Sequence, residues 1–112
     1  MKAFFVSVLL LLCCYSNAQE ITSDTVWLDV RSQEEFASGH LPGAINIPHT
    51  EIAAAINELQ LDKSAPIALY CKSGRRAGLA LEILQQQGYT NLTNKGGYEQ
   101  LKQQLASDNE RK

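Results

Sequence analysis

The sequence predicts an α/β fold with a small, mostly parallel sheet of about five strands and helices on both faces. Apolar runs of strand length alternate along the chain with segments in which apolar residues recur every three or four positions. Glycine, proline and short polar stretches separate these segments, as they do at turns. Within 112 residues, this alternation describes a single domain.

The first 18 residues have the pattern of a signal peptide. Lys2 gives a short positive start, residues 3–14 are almost wholly apolar, and small residues stand two apart in Ser16-Asn17-Ala18, so we expect cleavage after Ala18. The apolar stretch is shorter than the ~20 residues that span a bilayer, which argues against a retained anchor. We therefore expect a periplasmic or secreted protein without stable membrane association.

Removal of residues 1–18 would leave 94 residues, with nine basic against twelve acidic side chains, so the formal charge would change from −2 to −3. This balance provides no basic surface for nucleic acid. Cys13 and Cys14 would leave with the signal peptide, and Cys71 would be the sole cysteine of the mature chain. An internal disulfide is then impossible, and the charged neighbours of Cys71 argue against a hidden thiol.

Strands are predicted at three places in the first half of the domain. A polar lead-in at 19–25 includes an edge strand near 20–22, and the apolar run 26–30 has the length of a buried strand. Residues 44–47 alternate in polarity, as in a brief strand, and Pro48 closes them.

Two helices are predicted between and after these strands. Ser32 and Glu35 have the spacing of a capping box, which begins a short helix that ends at Gly39. The second helix covers residues 50–60, where the apolar positions follow a helical period: Ile52, Ala55, Ile56 and Leu59.

The second half begins with a buried strand at 66–70, and the helix after Cys71 is the most regular of the chain. It ends at Gly88, after a run of three glutamines. One face carries its apolar residues: Ala77, Ala80, Leu81 and Leu84.

The last predicted elements are a short strand at 89–93, a turn at Gly96-Gly97 and a final helix. That helix carries its apolar residues at helical spacing: Tyr98, Leu101 and Leu105. We place the domain at 26–106 and expect the polar residues 107–112 to form a frayed tail.

The segment Cys71-Lys72-Ser73-Gly74-Arg75-Arg76 has the features of a reactive thiol. The cysteine stands at a strand-to-helix turn, where peptide N–H groups and the helix N-terminus can face its sulfur. Lys72, Arg75 and Arg76 add positive charge, which favours the thiolate. The sequence therefore predicts a nucleophilic cysteine that faces an anion.

Three segments should meet at the site, because ligands bind beyond the carboxyl ends of the strands in parallel sheets. Cys71 stands at such an end, as do residues 29–31 and the Gly96-Gly97 turn.

These residues resemble a single-domain rhodanese, a small exported sulfurtransferase, over about residues 26–105. Five motifs carry the resemblance, in this order: Asp29-Val30-Arg31, Glu35-Phe36, Gly39 to Pro48, Cys71 to Arg76, and Gly96-Gly97-Tyr98.

The resemblance implies a double displacement through a persulfide on Cys71. The partners would be a small anionic sulfur donor such as thiosulfate and a thiophilic acceptor (cyanide in vitro), with the chain acting as a monomer. Lys72, Ser73, Gly74, Arg75 and Arg76 are the expected substrate-binding residues, and Arg76 would point its guanidinium toward the pocket. No cofactor is expected.

Other polar residues fit structural roles better. We expect His40 to form part of a hydrogen-bonded scaffold rather than to act as a base, and Asp29 with Arg31 to form an ion pair. His49 should be exposed. No Cys/His cluster with zinc spacing is present in the sequence, so no metal site is expected.

Three alternatives stay open. A phosphatase or arsenate reductase also uses a cysteine in an anion-binding loop, but a phosphatase needs five residues between cysteine and arginine, and four separate Cys71 from Arg76. A non-catalytic binding module usually lacks the cysteine or the loop charges. A redox thiol would need a resolving partner, which the mature chain lacks.

Overall fold

The computed structural model describes residues 24–111. The predicted signal peptide and the predicted edge strand near 20–22 lie outside the described residues.

Four parallel strands form the sheet of the described chain: β1 (Val26–Asp29), β2 (Ile45–Asn46), β3 (Ile67–Cys71) and β4 (Leu92–Gly97). Their order across the sheet is β2-β1-β3-β4, and each adjacent pair is parallel. β1 and β3 are central, which explains their nearly continuous apolar sequences. The α/β prediction with a parallel sheet is confirmed.

The helices of the first half are short. In α1 (Gln33–Ala37) both hydrogen bonds of the predicted capping box are present. The predicted helix at 50–60 is a single α-turn, α2 (Ile52–Ala55), between two 3₁₀ turns, His49–Glu51 and Ile56–Leu59. The prediction of a continuous α-helix was therefore wrong here, because short helical segments often tighten to 3₁₀ geometry at their ends.

The helix α3 (Arg75–Gln86) ends in a Schellman motif rather than leading at once into a strand. The N–H of Tyr89 donates to the carbonyl of Leu84 at 3.1 Å, and that of Gly88 donates to Gln85 at 3.0 Å. Tyr89 is buried as part of this cap. The last strand therefore begins at Leu92, not at Tyr89 as predicted.

The final helix α4 (Tyr98–Arg111) follows directly after Gly97. The prediction of a turn at Gly96-Gly97 was wrong, since both glycines belong to β4. Residues 107–111 continue this helix, and the fraying that we expected after Ala106 stays a prediction. Leu105 on this helix is 47% exposed rather than buried.

The sheet is covered on both faces, as predicted. Side chains of β1 and β3 alternate between the two faces. One face packs with α2 and α3 around Leu28, Leu69 and Leu84, and the other packs with α4 around Tyr70 and Leu101. Cys71 points to the α3 face, which brings its sulfur to the N-terminus of α3.

Candidate active site

Cys71 is the last residue of β3, and the loop 72–74 folds its peptide groups over the sulfur. The N–H of Gly74 donates to Sγ at 2.9 Å, and the N–H of Ala77 donates at 3.4 Å. Gly74 has φ +100°, a conformation that favours glycine and that turns its N–H toward the sulfur. The loop thus forms a ring of donors around one atom.

These peptide groups make the thiol more acidic. Burial raises the pKa of Cys71, but the backbone N–H groups of Ala77, Ser73, Gly74 and Arg76 outweigh it, so the pKa of the thiol lies below its ordinary value. We expected both the peptide N–H groups and the loop cations to have this effect. Lys72 and Arg75 have exposed side chains, and the lowering comes mainly from the oriented amides.

The thiol is also less open than we expected. Cys71 is 1% exposed and belongs to the core of the α3 face, so the prediction that it is not hidden was wrong. The loop wraps tightly because each donor must approach within hydrogen-bond distance of a single sulfur atom.

The guanidinium of Arg76, which we expected to point toward the pocket, is held by another side chain. It forms a bidentate ion pair with Glu35 on α1, with Nη1 2.9 Å from Oε1 and Nη2 3.1 Å from Oε2. Hydrogen bonds from Arg76, and then those from Ser32, lower the pKa of Glu35 to about 2. The stabilisation from this pair is therefore present above the ordinary pKa of glutamate and is lost as the pH falls toward 2.

The strand β4 braces the loop from the other side, which sequence reasoning missed. Gly97 pairs with Cys71, and a Cβ on Gly97 would lie 2.5 Å from the carbonyl oxygen of Lys72. Asn94 donates from Nδ2 to the carbonyl of Gly74 at 3.0 Å and accepts from the N–H of Gly96 at 2.9 Å. The adjacent glycines in the sequence were the available signal, because paired glycines also mark close backbone contact.

Asp29 and Arg31 form the expected ion pair, and it is buried. Arg31 Nη2 lies 2.6 Å from Asp29 Oδ2, and the same nitrogen donates to the carbonyl of Gly39 at 2.7 Å. The guanidinium lies 4.4 Å from the ring centre of Tyr98. The pair thus joins the end of β1 to the start of α4, next to the cysteine loop, and the predicted convergence of the three segments is confirmed.

Within residues 24–111, neither histidine side chain forms a hydrogen bond with the cysteine loop. His40 is exposed, stacks on Phe36 with ring centres 3.6 Å apart, and places Nδ1 2.9 Å from the carbonyl oxygen of Phe36, as expected for a scaffold role. His49, expected to be exposed, is half-buried at the start of its 3₁₀ turn. Across residues 24–111, no group of three or more His, Cys, Asp or Glu side chains is arranged to hold a metal ion.

Replacing Gly97 with alanine should disrupt the loop. The new methyl group would meet backbone rather than a flexible side chain, so we expect Gly97→Ala to lower the free energy of unfolding by about 1–3 kcal/mol. Urea unfolding measures this loss. Gly78→Ala is the matched control, because its Cβ would lie 3.6 Å from Asn94 Nδ2, an ordinary contact, and a helical alanine gains about 1 kcal/mol. Equal stabilities of the two variants would contradict the close contact.

The arrangement is typical of an α/β enzyme whose nucleophile is a sulfur atom. That atom accepts hydrogen bonds from backbone amides at the carboxyl edge of a parallel sheet. Residues 15–104 match the family described as the Rhodanese-like domain. The chain belongs to this family.

Two of the relatives are named for sulfur transfer from thiosulfate. The chain is 44% identical over 71 residues to the thiosulfate sulfurtransferase PspE of Escherichia coli K12, an alignment that covers 63% of this chain and 68% of the relative. It is 37% identical over 84 residues to the human thiosulfate:glutathione sulfurtransferase, covering 62% and 70%. The resemblance to a single-domain rhodanese is confirmed, and at the level of the family so is sulfurtransferase activity.

Solved structures agree with the fold. A rhodanese from E. coli with bound anions matches with a TM-score of 0.64 at 41% identity, over 67% of this chain and 88% of that one. The human single-domain sulfurtransferase TSTD1 matches with a TM-score of 0.60 at 31% identity, over 67% and 77%.

Proposed function

We propose that the protein is a thiosulfate sulfurtransferase that carries sulfur as a persulfide on Cys71. The observation that carries this assignment is the ring of peptide N–H groups directed at Sγ, which stabilises negative charge there in the resting enzyme. The named activities of the two relatives indicate the donor.

In the first half-reaction, the thiolate of Cys71 attacks the outer sulfur of thiosulfate. A new S–S bond forms on the enzyme, the S–S bond of thiosulfate breaks, and sulfite leaves with the electron pair. The outer sulfur of the persulfide then carries the negative charge. The amides that held the thiolate remain available to the persulfide without rearrangement, which is the advantage of a preorganised site.

In the second half-reaction, a thiophilic acceptor attacks the outer sulfur. With cyanide as acceptor, the carbon forms a bond to that sulfur, thiocyanate leaves, and the thiolate of Cys71 is restored. A thiol acceptor would take the sulfur as its own persulfide. No net oxidation of the enzyme occurs, so a resolving cysteine is not needed.

The loop cations have separate roles in this scheme. Lys72 and Arg75 are exposed on the loop and can lower the repulsion between an approaching dianion and the thiolate. Arg76 acts differently, since Glu35 holds its guanidinium. Ser73 and Gly74 supply backbone N–H groups rather than side chains.

We also propose that the domain at 26–106 acts as an exported monomer after cleavage near Ala18. The pattern of residues 1–18 supports export. Within the described chain, no helix is both long and apolar enough to cross a bilayer.

Intact mass spectrometry tests the persulfide. The exported protein, incubated with thiosulfate, should gain about 32 Da, one sulfur atom, and cyanide should remove it. The same spectrum shows whether residues 1–18 are absent. The matched control is Cys71→Ser treated identically, which should gain nothing. An equal gain in this variant, or none in the wild type, would contradict the assignment of Cys71.

A further inference from the structure

Glu35 is the one polar side chain of α1 that reaches the cysteine loop in the contacts of the described chain, although 41 positions separate it from Arg76. Its carboxylate is held from two directions. Arg76 donates two hydrogen bonds to it, and Ser32 contacts Oε1 through its N–H at 3.0 Å and through Oγ at 3.1 Å. The capping box of α1 therefore also serves as an anchor for the loop.

Arg76 passes this restraint to the sulfur. Its side chain is fixed to α1, and its backbone lies in the first turn of α3. In the chain it stands between Gly74 and Ala77, whose N–H groups donate to Sγ at 2.9 and 3.4 Å. The N–H of Arg76 itself is one of the groups that lower the thiol pKa. A shift of Arg76 would consequently disturb the adjacent donors.

The charges around the pair favour this arrangement. Arg31 and Arg76 repel each other, and Glu35 attracts both. The carboxylate thus offsets the repulsion between the two guanidinium groups, and a thiolate at Cys71 also attracts Arg76.

We propose that Glu35 is a positioning residue of the sulfurtransferase, which acts through Arg76 to hold the peptide N–H groups of the cysteine loop on Sγ of Cys71. The bidentate pair restrains the start of α3 against α1 and fixes the position of the guanidinium. This role rests on the proposed function, since it concerns the same nucleophile.

The sign of the change in the pKa of Cys71 tests this role. Removing a nearby negative charge by itself would lower the pKa of the thiol, because a thiolate would then have one fewer anion close to it. Loss of the restraint would raise that pKa, since the amides would move off the sulfur. We expect Glu35→Gln to raise it by about half to one unit, which lowers the thiolate fraction about three- to tenfold at a pH below both values.

The ultraviolet absorbance of the thiolate gives the titration directly, and kcat/KM for thiosulfate should fall by the same factor. Glu34→Gln is the matched control: it removes the same charge one residue away, on an exposed position of α1, and should leave the titration unchanged. Arg76→Lys is the second variant, which keeps the charge but loses the bidentate geometry, and it should also raise the pKa of Cys71.

An unchanged or lowered pKa of Cys71 in folded Glu35→Gln would overturn the positioning role. If Glu35→Gln does not fold, Arg76→Lys decides in the same way. A different result would contradict the proposed function: wild-type protein that takes up no sulfur from thiosulfate although the pKa of Cys71 lies below its ordinary value.

Discussion

Replacement of Cys71 by serine should abolish sulfur transfer from thiosulfate to cyanide, with a loss of at least about a thousandfold in kcat/KM. A serine hydroxyl stays protonated where the thiol ionises, and the amide ring would then hold a neutral group that does not attack sulfur. Thiocyanate formation measures the loss.

The fold should survive this change, because the oxygen replaces the sulfur without added volume, and urea unfolding checks this. Cys71→Ala should lose activity to the same extent, which would show that the serine hydroxyl contributes nothing. Phosphate release from an aryl phosphate is measured in parallel: release that depends on Cys71 would favour the phosphatase alternative. Wild-type rates of thiocyanate formation in Cys71→Ser would disprove the assignment.

Replacement of Arg31 by methionine should cause the largest loss of stability, about 3–5 kcal/mol in the free energy of unfolding. Asp29 is fully buried and Arg31 is 5% exposed, so the variant would leave a carboxylate inside the protein without its cation. Domains of this size are stable by about 5–15 kcal/mol, so the loss is a large share of the total. Urea or thermal unfolding measures it.

Lys102→Met is the matched control for Arg31→Met. Lys102 pairs with Glu99 at 3.5 Å on the exposed face of α4, and surface pairs of this kind contribute at most about 1 kcal/mol. The double variant Asp29→Leu/Arg31→Met should be more stable than Arg31→Met alone, because no uncompensated charge remains. Similar decreases in the free energy of unfolding of Arg31→Met and Lys102→Met would show that breaking the buried pair costs no more than breaking a surface pair.

Local signals in the sequence predicted most of the fold. The apolar run at 26–30, the capping box at Ser32 and the periodic face of α3 each depend on neighbours within a few residues, and all three are confirmed. Predictions were wrong where a segment could satisfy its backbone hydrogen bonds in two ways. Gly96-Gly97 could form a turn or the end of a strand, and only contact with Lys72 distinguishes these.

The candidate site follows the same division. The choice of Cys71 as nucleophile, and of its loop neighbours as substrate-binding residues, came from the sequence and stays a prediction. Of the two expected sources of the thiol's acidity, the peptide N–H groups are confirmed as the main one. Their relative weight could not be predicted, because side-chain charges are visible in a sequence, whereas the direction of a peptide N–H is not. The burial of Cys71 was misjudged, because it depends on how the loop folds over the sulfur.

The sequence by itself determined the α/β class and the family, and it predicted the reactive cysteine, because each depends on residue types at short spacings. Only the tertiary structure decided which groups surround that cysteine. Glu35 meets Arg76, and Asn94 meets Gly74, across 41 and 20 positions of the chain. Such contacts arise from the packing of α1 and β4 on either side of the loop, and no local pattern in the chain encodes their distances or directions.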